Sequence, residues 1–103
     1  MNARVKKVLS EAVDQILWER WDPIAVNSTP AARDEYRGYV PGIVDLLVQG
    51  ADAFKLAQRL NTLERSSMSC VTNAQLRTEV AEALLSACHE WAARARNHRH
   101  LPP

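Results

Sequence analysis

The stretch VKKVLSEAVDQILWERWDP, residues 5–23, decides the fold. Within it Val5, Val8, Leu9, Ala12, Val13, Ile16 and Leu17 recur at steps of three and four. An α-helix completes a turn every ~3.6 residues, so these side chains fall on one stripe. A strand would require alternation with period two, which no segment of the chain sustains. The spacing predicts a helix over residues 3–20, extended by Trp18 and Trp21. Asp22-Pro23 stops it, because a proline pushes the preceding residue out of the α region.

Outward from this helix the same periodicity recurs. Residues 23–29 carry Asn27, Ser28 and Thr29 and read as a loop. Thr29-Pro30 is a helix start, a hydroxyl N-cap followed by proline at the first helical position. Tyr36, Tyr39, Val40, Ile43, Leu46 and Leu47 then hold helical phase through Gly38 and Pro41. One helix over 30–49, bent near Gly38 and Pro41 where a backbone hydrogen bond is lost, fits this; two separate helices remain open. Gly50 is a natural C-cap and Asp52 a natural N-cap. Ala53, Leu56, Ala57, Leu60 and Leu63 form a third stripe ending about residue 65. SSMSCVT is a linker, with Thr72 and Asn73 as alternative caps for a fourth helix. That helix carries Leu76, Val80, Ala83, Leu84, Ala87, Cys88 and Trp91 to about residue 97, leaving 97–103 as a frayed tail. The expectation is one all-α domain over 1–103, a compact bundle of about four helices.

Composition narrows the function. The 103 residues suffice for one core, and 47% hydrophobic with 24% charged residues is a globular balance. A net charge of +1 argues against a dedicated nucleic-acid binder, which carries a basic excess. No run approaches the ~18 apolar residues of a membrane span, and charges interrupt the N-terminus where a signal peptide would be apolar. Cys70 and Cys88 make no disulfide framework and lack zinc-ligand spacing. A cytoplasmic protein with free thiols, no metal and no cofactor is expected. No glycine-rich phosphate loop, metalloprotease helix or nucleophile elbow is present, so no enzymatic activity is expected either.

Two constellations carry the candidate binding residues. Trp18, Trp21, Tyr36 and Tyr39 flank the first loop. Large rings of this kind pack one helix against the next, or stay partly exposed as anchors of a binding surface. Asp22 stands at a helix C-terminus, where a carboxylate is unfavourable unless it accepts N–H groups from the following turn. With Asp34, Glu35, Asp45 and Asp52 it also makes a central acidic group. Such a group is a solvated face, or it steers a basic partner such as a nuclease. Trp18, Trp21, Asp22, Asp34, Glu35, Tyr36, Tyr39 and Asp45 are therefore the partner-binding candidates. Arg94, Arg96, His98, Arg99 and His100 ring the last helix end and complement its dipole, while Arg4, Lys6 and Lys7 oppose the dipole of the first.

The runs LWERWDPIAVN (17–27) and RDEYRGYVPGIVDLL (33–47) resemble a family of small helical bacterial proteins of unknown function. The likeness spans about residues 9–68 and centres on a Trp-Asp-Pro-Ile loop followed by a tyrosine-rich helix containing proline. It implies no enzymatic activity and carries no catalytic residues. Chains of this kind also look like immunity proteins of contact-dependent toxin systems, which implies a cognate toxin as protein partner. A nucleic-acid-associated regulator working through the basic helix ends, and a self-associating structural subunit, are the alternatives. Oligomeric state stays open.

Overall fold

In the computed structural model the backbone is described for residues 3–100 and the side chains for residues 3–93. Helix α1 (Ala3–Ile16) continues directly into one wide π-type turn (Leu17–Trp21). That turn closes with the Asp22 N–H on the Leu17 carbonyl at 2.9 Å. Closing five residues back frees the Trp18 carbonyl, which an α-helix would have used. The Asn27 side-chain amide donates to it at 3.2 Å. The chain leaves the helix at Asp22, in the left-handed region at φ +34°. The stop expected at Asp22-Pro23 is thus made by a widened turn plus a left-handed residue.

The segment 30–48 is helical and bent, as its phase retention predicts. It opens as a 3-10 turn (Pro30–Ala32), passes through a second (Arg37–Tyr39) and becomes α2 (Val40–Val48). The bend falls at Gly38 and Pro41, where proline occupies the first turn of α2 and needs no N–H partner. Thr29 precedes Pro30 in extended geometry, although its hydroxyl makes no capping bond. Gly50, at φ +87°, reverses the chain after α2, with the Ala51 N–H on the Leu46 carbonyl. Asp52 then caps α3 (Ala53–Ser66) by accepting the Lys55 N–H at 2.9 Å. Between the two alternatives for α4 (Ala74–His100), Asn73 is the cap, accepting the Leu76 N–H at 2.7 Å.

Helix α4 is the spine, packed against α1 and α3, with α1 also covering α2. Leu9, Val13 and Leu17 meet Leu56, Leu60, Val80 and Leu84 in a core where each is 1% exposed or less. Burying each such side chain stabilises the fold by roughly 1.5–3 kcal/mol. The described residues contain no strand. No helix among them is long and apolar enough to cross a membrane. Helix α4 continues past residue 97 to His100, further than its apolar stripe indicated. The side chains of Arg94, Arg96, His98, Arg99 and His100, and residues 101–103 of the expected tail, lie outside the described residues.

Candidate functional site

The wide turn after α1 and the segment 30–40 bring Trp18, Trp21, Asp22, Tyr36 and Tyr39 together and turn them inward, while Asp34, Glu35 and Asp45 stay exposed. Tyr36 is fully buried, Trp21 is 2% exposed and Trp18 is 8% exposed. The Tyr36 ring centroid lies 5.6 Å from that of Trp21 and 6.3 Å from that of Trp18, both tilted. Such pairs stabilise by about 0.5–1.5 kcal/mol beyond their buried area. The rings clamp the end of α1 to the segment that follows the loop. As surface anchors, Trp18, Trp21 and Tyr36 are corrected to core residues, because each ring packs against another, with the Trp21 indole N–H on Glu64 and the Tyr36 hydroxyl on Asp22. Tyr39 is half-buried against the same core.

Asp22 organises this knot. Its Oδ1 accepts the Val26 N–H at 2.8 Å and the Tyr36 hydroxyl at 2.6 Å, and its Oδ2 accepts the Asn27 N–H at 3.2 Å. The carboxylate takes the following turn's amides, as its position at a helix C-terminus required. Burial, together with the bond to this carboxylate, pushes the Tyr36 phenol far above its ordinary value. Tyr36 therefore stays a neutral donor at any physiological pH.

Outside this knot a second pair of contacts holds the segment. The Arg33 Nη1 lies 2.9 Å from Asp14 Oδ2, off the line a hydrogen bond requires, while its Nη2 donates to Gln15 Oε1 at 3.0 Å. The guanidinium also sits 5.2 Å from the Trp18 ring centroid, within cation–π reach. Arg37 Nε approaches the same Asp14 oxygen at 3.6 Å. Between these anchored residues, Asp34 and Glu35 are exposed and make no ion pair among the described residues. The acidic group foreseen in the sequence is dispersed. Asp22 serves the loop and Asp52 caps α3. Asp45 faces Lys6 at 3.7 Å across an exposed surface, a contact worth about 0–1 kcal/mol.

Two features escaped the sequence reading. Glu64 on α3 is fully buried. Its Oε1 accepts the Thr72 N–H at 2.8 Å and Arg77 Nη1 at 3.1 Å. Its Oε2 accepts the Trp21 indole N–H at 2.8 Å and the Thr72 hydroxyl at 2.7 Å. Burial alone would push this carboxyl up, but the three hydrogen bonds from Thr72 and Trp21, and the Arg77 charge, bring it below its ordinary value. The signal was its register: Glu64 follows Leu60 by four residues and Ala57 by seven, so it lies on the apolar stripe. The second is Phe54, 69% exposed, with Val48 at 47% just before the α2–α3 turn. Its phase beside Ala53 and Leu56 already takes it off the stripe.

Among the described residues no three His, Cys, Asp or Glu side chains stand close enough to hold a metal ion. Cys70 and Cys88 are both free. No protein-family model, no curated protein and no solved structure matches this chain.

Proposed function

We propose that the chain is a non-catalytic protein-binding domain, most concretely an immunity protein that neutralises a cognate bacterial toxin by covering its active site. One observation carries this reading. Asp34 and Glu35 stand exposed, with no ion pair among the described residues, between two pinned neighbours, Arg33 on Asp14 and Tyr36 on Asp22. The pins fix the backbone of the tip, so its two charges are presented at little entropic cost on binding. A preorganised acidic tip attracts a basic surface, such as the Lys- and Arg-lined cleft of a nuclease, and accelerates encounter. The buried Glu64 and Tyr36 are engaged in internal hydrogen bonds, which accords with a scaffold and not with acid–base chemistry. Free thiols at Cys70 and Cys88 suit action in the reducing cytoplasm.

The test is whether a toxin is encoded beside this chain and is inhibited by stoichiometric protein; absence of any such neighbour sinks the reading. Charge reversal, D34K with E35K, should slow association about tenfold at low salt, with the difference shrinking as salt rises. Folding stability should stay within about 0.5 kcal/mol, since both side chains are exposed and neither has an ion pair to lose among the described residues. A neighbouring toxin left fully active by excess protein sinks the immunity reading. An association rate unchanged by both reversals removes the acidic tip from it.

A further inference from the structure

We infer that the groove between α1 and the start of α2 is a binding site for a small amphiphilic oxyanion, a carboxylate or phosphate carried on an apolar body. The groove has a volume of about 580 Å³, within the usual range of small-molecule sites. One wall is the face of α1 carrying Lys7, Glu11 and Asp14; the other is formed by Arg33, Arg37, Val40 and Pro41. This site is independent of the toxin reading, since it needs no protein partner.

Charge is unbalanced here. Asp14 supplies one negative charge to two guanidiniums, at 2.9 Å from Arg33 and 3.6 Å from Arg37. Arg33 is held by Asp14, Gln15 and the Trp18 ring, but Arg37 touches Asp14 only through Nε and is 61% exposed. Its two terminal nitrogens have no partner among the described residues. A planar guanidinium with both terminal nitrogens free offers the fork that carboxylate and phosphate accept in bidentate fashion. Lys7 adds a point charge from the opposite wall, with no ion pair of its own among the described residues, and offsets Glu11 one turn away. Exposed Pro41 gives the apolar surface on which the body of such a ligand rests, backed by Val40, which is 6% exposed.

The site is tested by titrating the intact chain with phenyl phosphate and with phenylacetate, using neutral phenylacetamide as the counterpart. The readouts are the NMR shifts of the Arg37 Nε–H and the Val40 amide. Saturating shifts from at least one anion, and none from the amide, are expected. Arg37→Ala should weaken that binding about tenfold or more, and Arg37→Lys, which keeps the charge but not the fork, by less. Lys7→Ala, on the other wall, should weaken it independently, and Glu11→Gln should tighten it. Circular dichroism on each variant separates lost binding from lost fold. Absence of a saturating shift from both anions, an equal response to the amide, or unchanged affinity in folded Arg37→Ala overturns the proposal.

Discussion

Removing the Glu64 carboxylate tests the reading of the interior most directly. Glu64→Ala deletes one acceptor group that four donors share, from Trp21, Thr72 twice and Arg77. Arg77 is 14% exposed at its side chain, so it is left as a nearly buried cation without a counter-charge. Breaking a buried pair from one side costs about 3–5 kcal/mol, and the orphaned indole and amide donors fall within that range. For a domain of this length the loss should lower Tm by about 12 °C or more. Urea melts followed by tryptophan fluorescence and by circular dichroism measure it. Glu64→Gln keeps an acceptor for the Trp21 indole but no charge for Arg77, and should cost about 1–2 kcal/mol. A cycle of Glu64→Ala with Arg77→Ala should show coupling above about 1 kcal/mol. The folded carboxyl titrates below its ordinary value of 4.5, so its contribution is complete above that pH. It is lost as pH falls through the folded value, and the Glu64→Gln penalty should shrink there. A Glu64→Ala protein within about 1 kcal/mol of the parent would refute the argument that this carboxylate ties α3 to the wide turn and the α3–α4 linker.

Three further outcomes follow from the same structure. Asp22→Ala should cost about 1–3 kcal/mol in denaturant melts, because two loop amides and the Tyr36 hydroxyl lose their acceptor, whereas Tyr36→Phe removes one bond and should cost less. Gly50→Ala should destabilise by about 1 kcal/mol in the same melts, since φ +87° strains any residue with a Cβ. Burial raises the Cys88 thiol and shields it, so at neutral pH a thiol-specific reagent should label it only as the protein opens, with a rate that rises with denaturant in parallel with unfolding.

The candidate binding site was legible only in part. Asp22 was identifiable as a turn acceptor because a helix C-terminus followed by proline leaves amides within reach of the same side chain. The neighbouring rings were ambiguous, since burial of Trp18 or Trp21 depends on Tyr36 arriving from the far side of the loop. The acidic residues read as a group because they all fall in the middle of the chain. In space Asp45 lies against Lys6 and Asp52 caps its own helix, which leaves Asp34 and Glu35 exposed and without an ion pair among the described residues. Phe54 was readable from its phase alone.

The sequence by itself determined the all-α class, the four stripes, the stop at Asp22-Pro23 and the caps at Gly50 and Asp52. Each of these depends on interactions within about five residues, and helical periodicity records them directly. Tertiary structure decided which way the aromatic rings face, the full burial of Glu64 and the sharing of Asp14 by Arg33 and Arg37. Those depend on partners 43 residues apart for Trp21 and Glu64 and 18 apart for Gln15 and Arg33. A side chain's phase on its own helix says which way it leaves the axis, but only the packing of α1 against α3, α4 and the segment before α2 supplies the group it meets.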